Sequence, residues 1–166
     1  EALYMAWKNG LKTAGIMDHD SSGGAREFIE AGKIIGMPVT CGVECRVNMS
    51  HTRLAGKRIN NPDQKSIAYV AMHGIPHQNI ERVNAFFAPY REERNERNRK
   101  MCANITAMMQ PFGIDLDFDR DVLPISQYAA GGSVTERHIL FALTHKITAR
   151  YPTPAQVLDF LCGEMK

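Results

Sequence analysis

What this 166-residue sequence lacks narrows its class. It has one tryptophan, and aromatic residues make up only 8% of it. Twenty basic residues face 18 acidic ones, so the formal charge of +2 points neither to nucleic acid nor to a membrane surface. No apolar run approaches the about 18–20 residues that span a bilayer. The four cysteines, Cys41, Cys45, Cys102 and Cys162, are spaced too irregularly for a disulfide framework. Cys41 and Cys45 have no second pair at zinc-finger spacing. Reduced cysteines and a cytoplasmic location are therefore expected. There is no internal repeat and no low-complexity tract. No signal-peptide pattern or initiator methionine opens the chain, and Glu1-Ala2-Leu3-Tyr4 reads as the start of a segment cut from something longer. What is present is ordinary for a globular domain: 44% hydrophobic and 23% charged residues, in a length that can bury a core.

The periodicity of the first 47 residues predicts helix, strand, helix, strand. Leu3, Ala6, Trp7 and Leu11 recur at helical spacing, with Asn9-Gly10 as a stop. Leu11–Met17 reads as a strand. Ala25–Ile35 reads as a helix with Phe28, Ile29, Ala31, Ile34 and Ile35 on one side, ended by Gly36. The run 37–43 reads as a second, mostly buried strand. This alternation implies a parallel α/β sheet or barrel. Residues 48–65 are polar, and Ser66–Met72 is a third strand-length run.

From His77 onward the pattern is helical. Asn79–Met109 is expected to form a helix interrupted at Pro89. Within it, residues 90–100 alternate charge, and pairs such as Glu93–Arg97 support each other at i,i+4. That stretch reads as a solvated helix face, with a phosphate- or nucleic-acid-binding surface as the less favoured alternative. Pro111–Asp121 is a connector. Ser133-Val134-Thr135-Glu136 matches a capping box that opens a helix to about Ile147. Thr153-Pro154 starts the last helix.

In parallel α/β folds, functional groups gather at the carboxyl ends of strands. Three strand ends here carry such groups: Asp18-His19-Asp20, Gly42-Val43-Glu44 and Met72-His73-Gly74. Imidazole nitrogen and carboxylate oxygen suit Zn, Mn or Fe, so their convergence would make a site for divalent metal.

The stretch GIMDHDSSGGAREFIEAGKIIGMPVTCGVE resembles the PHP (polymerase and histidinol phosphatase) superfamily of metal-dependent phosphoesterases. Asp18-His19-Asp20, Gly36-Met37-Pro38-Val39 and Gly42-Val43-Glu44 follow in that family's order and spacing. Arg91–Met101 and Gly132–His138 take the places of an Arg-rich helix and a later helix start in its inserted segment. The resemblance implies that His19 and Glu44 are metal ligands, in a cluster of two or three Mn, Zn or Fe ions. It implies that Asp18 and Asp20 orient the imidazole or the loop. A further ligand belongs near the end of the next strand, where His73 or Tyr69 stands. His138, with Arg137 beside it, takes the place of a histidine that reaches toward the substrate phosphate or the metal. Arg94 or Arg97 is a further candidate for phosphate contact.

The family's His-x-His opening motif and its terminal motifs have no counterpart here, so the resemblance covers the middle of the domain. The fold it implies is α/β: a partial PHP-type distorted (β/α)7 barrel over residues 1–76 and a largely helical inserted subdomain over 77–166. The function it implies is hydrolysis of a phosphate ester, on a phosphorylated small molecule or a nucleotide, by metal-activated water. A catalytically inactive PHP-like scaffold is the alternative. No membrane partner is expected.

Overall fold

A computed structural model of the chain describes residues 1–165. Helix α1 (Ala2–Lys8) buries Leu3 and stops at Asn9-Gly10, where Gly10 takes φ +81°. Strand β1 (Ala14–His19) follows. Helix α2 (Ala25–Ile35) ends at Gly36 in the left-handed conformation, which a residue without Cβ adopts at no steric cost. Strand β2 (Val39–Asn48) lies parallel to β1 and directly beside it, with Ala14 opposite Val39 and His19 opposite Glu44. Strand β3 (Ile67–His73) pairs with β2 in the opposite direction, from Gly42↔His73 to Asn48↔Ile67.

Two expectations shift here. The sheet is mixed, in order β1-β2-β3, rather than all parallel. The strands also run further than their apolar cores. β1 takes in Asp18 and His19, and β2 continues to Asn48, because β3 folds back along its far end and satisfies its backbone groups there. Glu44 is thus an interior strand residue rather than a post-strand one.

Side chains alternate across a strand. Cys41 and Val43 of β2 face α2 and form a buried cluster with Ala25, Ile29, Ile75, Ile80 and Phe87. The other face carries Gly42, Glu44 and Arg46 of β2, His19 of β1, and Tyr69 and His73 of β3.

After a single 3-10 turn at His77–Asn79, helix α3 runs unbroken from Ile80 to Met109. Pro89 lies inside it and does not interrupt it, contrary to expectation. The carbonyl that a proline leaves without its helical donor belongs to Ala85, and both residues are exposed, so water can replace the missing N–H. Helix α4 spans Glu136–Arg150 and α5 spans Pro154–Asp159. Among the described residues no strand follows His73.

The chain divides into two units, Glu1–Arg91 with Ala129–Ser133, and Glu92–Tyr128 with the residues from Val134 onward. The second unit has two apolar clusters. One gathers Cys102, Leu116, Phe118, Val122, Val134, Ile139 and Ala142, and the other Met109, Ile114 and Phe160. Its connector has no helix or strand over 114–117 before a π-helical turn at Phe118–Val122, and Ile114, Leu116 and Phe118 are buried while Asp115 and Asp117 are exposed.

The charged run 90–100 is not simply a solvated face. Arg91, Arg94, Asn95 and Asn98 are all buried, at i, i+3, i+4 and i+7 of α3. The cap of α4 also differs from the expected Ser133. Thr135 is the N-cap, and its backbone N–H donates to Nδ1 of His138 at 3.1 Å.

Candidate functional site

His19 and Glu44 stand directly opposite each other in the parallel pair β1–β2. Equal register on one face brings their side chains together, with His19 Nδ1 2.9 Å from Glu44 Oε2. Both are partly exposed, at 42% and 36% of the side chain. A carboxylate only accepts, so Nδ1 carries the proton and donates. In the neutral form of the ring, the Nε2 lone pair of His19 is then left available to a ligand. Tyr69, on the same face from β3, sets its ring edge-on to the imidazole with centroids 6.4 Å apart.

The loop after His19 is tightly tied. Asp20 is buried and takes φ +52°, unusual for a residue with a Cβ. Its N–H donates to Glu44 O at 2.9 Å, and its carbonyl accepts from Arg91 Nη1 at 3.0 Å. Ser21 Oγ donates to Gly131 O at 2.7 Å, and Ser22 Oγ donates to Ile80 O at 3.0 Å. The chain needs glycine at position 23, since a Cβ there would lie 2.7 Å from the carbonyl carbon of Gly131.

Asp18 lies on the opposite face from His19, opposite Val43 and next to the start of α2. A Cβ on Gly24 would come within 3.5 Å of its Oδ2. Desolvation raises its pKa, although much of the residue remains in contact with water, and the neighbouring His19 charge works the other way. Asp18 therefore reaches the imidazole through the backbone and through charge, not by sharing a face with it.

His73 is on the same sheet face as the pair but opposite Gly42, one full pleat repeat from Glu44, and it is exposed. Among the described residues no three His, Cys, Asp or Glu side chains lie close enough to hold a metal ion. The structure thus brings together His19 and Glu44, sets Tyr69 beside them, and leaves His73 apart.

In the second unit, His138 lies in the first turn of α4. Its Nδ1 accepts from the Thr135 N–H, which places the ring proton of the neutral form on Nε2. Arg137 beside it is exposed. Arg97 is ion-paired with Glu136, and Arg94 is buried.

No family model matches the chain, and neither does any curated protein. Among solved structures, the chain is similar to a "putative metal-dependent phosphoesterase" from Bifidobacterium adolescentis, with a TM-score of 0.63 and 23% identity. The likeness is one of fold. It covers 98% of this chain and 48% of that one, so this chain spans about half the length of the structure it matches.

The His19–Glu44 pair can be tested against the metal dependence named for that neighbour. Imidazole nitrogen and carboxylate oxygen are donors that Zn, Mn and Fe accept, and Nε2 of His19 is oriented by the bond its other nitrogen makes. The pair fits in type. In number it is two of the three or more protein ligands that a catalytic site uses.

Three contributors escaped sequence reasoning. Arg91 resembled any other member of a charged run, yet it is buried against the loop that follows His19. Asn84 takes part in the same knot, its Oδ1 accepting from Arg91 Nη1 at 3.0 Å and from Ser22 N–H at 3.3 Å. Asn60 accepts from the Tyr69 N–H and donates to the Tyr69 O, both at 2.8 Å, pairing with it as a strand would. The only signal for Arg91 is its spacing, four residues beyond the buried Phe87 on the same helix face.

Proposed function

We propose that this chain carries part of the active site of a metal-dependent phosphoesterase, with His19 and Glu44 among the ligands. The observation that carries this reading is the 2.9 Å contact between two metal-type donors held opposite each other in a parallel strand pair. In this reading residues 1–76 are part of a PHP-type barrel and 77–166 its inserted helical subdomain. A divalent ion there, Mn, Zn or Fe, would lower the pKa of bound water and offset charge on phosphoryl oxygens. Glu44 Oε2 holds the proton of His19 on Nδ1 and so keeps Nε2 free to bind. Its Oε1 would remain to hold a cation. Asp20 holds the end of β1 against β2 through its N–H to Glu44 O, which fixes the spacing of the pair. Within the second unit, the neutral His138 ring carries an Nε2–H donor and Arg137 is an exposed cation, each of a type that binds phosphate. His73 would enter the ligand set only by a shift of its strand end, so Tyr69 is the better-placed neighbour for substrate.

The test compares the protein with its His19→Ala and Glu44→Gln variants for bound metal and for hydrolysis of p-nitrophenyl phosphate. Loss of a ligand is expected to remove most bound metal and to lower the rate at least about 10–100-fold, the cost even of an outer-shell partner. Equal metal content and equal rate in all three would overturn this reading in favour of a catalytically inactive interaction module.

A further inference from the structure

The cations of the charged helix α3 are largely consumed. Arg99 reaches Glu92, Glu96 and Asp119, Arg97 pairs with Glu136, and Arg91 is buried on backbone carbonyls. Arg82 and Lys100 on α3 remain exposed without an ion pair among the described residues, but the densest run of such cations lies in a different segment. Between Arg46 and Lys65 there are five basic side chains, Arg46, Arg53, Lys57, Arg58 and Lys65, against the single acid Asp63. The rest of the chain has 15 basic and 17 acidic residues, so this one segment turns a net acidic chain into a net basic one. All five are exposed, and none forms an ion pair among the described residues.

The segment is also long for a hairpin connection, and it is fixed in place. It joins two antiparallel strands that two to five residues would suffice to connect. Ser66 N–H donates to Lys57 O at 2.8 Å, Met49 N–H donates to Ser66 O at 2.7 Å, and Gly56 N–H donates to Ser66 Oγ at 2.7 Å. Asn60 ties the segment to the backbone of Tyr69, whose ring stands beside His19. It leaves the sheet at the end where β1 finishes and β2 runs on past Glu44, and Arg46 shares the face of Glu44.

We infer that residues 46–65 form a binding surface for single-stranded nucleic acid, which leads along its phosphates to the His19–Glu44 pair. Exposed unpaired cations on a fixed frame fit phosphates repeated along a strand, and Tyr69 offers a ring on which a base can stack. The charge argument is independent of the phosphoesterase reading. The choice of nucleic acid among polyanions rests on that reading.

The test is fluorescence anisotropy of a labelled 15-nucleotide oligothymidylate with the full chain, in EDTA, over a range of salt. Binding is expected to weaken steeply with salt, with a log–log slope of about −0.7 for each phosphate neutralised. The double variant Lys57→Gln, Arg58→Gln is expected to flatten the slope by about 1.4. Arg26→Gln with Lys33→Gln removes the same charge from cations that are paired with Glu81 and Glu30, and is expected to change nothing. A third double variant, Arg53→Gln, Lys65→Gln, repeats the measurement if the first fails to fold. No binding at low salt, equal losses in the paired and unpaired variants, displacement by orthophosphate as readily as by oligonucleotide, or binding to phosphatidylserine vesicles in its place would each overturn the inference. His19→Ala is expected to keep oligonucleotide binding, so a failure of the catalytic reading leaves this result standing.

Discussion

Arg91 donates from a single nitrogen, Nη1, to the carbonyl oxygen of Asp20 and to both oxygens of Asn84, each at 3.0 Å. One buried guanidinium thus clamps the left-handed residue that ends β1 to the first half of α3. Asp20 in turn holds Glu44 through its N–H, so the clamp sits two bonds away from the candidate ligands.

Replacing Arg91 by Met is expected to destabilise the fold by about 1–3 kcal/mol, because buried carbonyls lose their donor. Arg91→Lys is expected to recover only part of this, since its ammonium sits on a shorter side chain and must reach the three acceptors that Nη1 meets. Urea unfolding of the three proteins measures both effects. A lysine variant as stable as the native protein would show that charge alone, not geometry, does the holding.

Gly23→Ala is expected to cost about 1–3 kcal/mol, because the added Cβ would meet backbone atoms of Gly131 that cannot swing aside. Gly163→Ala meets nothing within 4 Å and should change stability by less than about 0.5 kcal/mol. Melting temperatures of the two variants give the contrast. A tolerant position 23 would mean that the turn at 131 is not held against it.

Acid should weaken the second unit. Hydrogen bonds from Arg120 hold the Asp121 and Asp115 carboxyls below the usual carboxylate range, and those from Arg99 do the same for Asp119. Where the folded pKa lies below the unfolded one, the native state binds fewer protons, so stability rises with pH through the window. The contribution is present above about pH 4 and lost as pH falls below it. Exposure of most of these groups and screening by salt keep it modest. Thermal melts between pH 5 and pH 2 should show the decline, and Arg120→Gln should flatten it. Identical pH profiles would leave the network without a role in stability.

Thiol reactivity should separate the cysteines. Cys162 is exposed, whereas Cys102 is buried and its thiol is pushed up to about 11 by desolvation and by the nearby Asp117, Asp121 and Asp119. Burial also raises Cys41 and Cys45. Iodoacetamide at pH 8 is expected to modify Cys162 first and Cys102 last, as read by peptide mass spectrometry. Early labelling of Cys102 would show that its apolar cluster opens readily.

The first 47 residues are legible because each element there is dictated locally. Helix α2 follows from its apolar spacing and from Gly36, and the parallel pairing of β1 with β2 follows from two strand-length runs joined by one crossover helix. The motif residues His19 and Glu44 are legible as a pair for the same reason: a βαβ unit returns its second strand beside its first. His73 was not resolvable in this way. Its strand returns antiparallel, and only the register shows which of its residues stands opposite Glu44. It is Ala71.

Local pattern alone determined the order of elements through β2, the helical character from α3 onward, and the donor types at positions 19 and 44. Tertiary structure decided how far the strands run, because β2 reaches Asn48 only where β3 supplies hydrogen-bond partners. It decided that α3 passes through Pro89, since Ala85, whose carbonyl loses its donor there, is exposed. It also decided which arginines are spent and which are free. A charge in a sequence has no partner until folding brings one within reach. The fold pairs Arg97 and Arg99 with carboxylates up to 39 residues away and leaves Arg53, Lys57 and Arg58 in solvent.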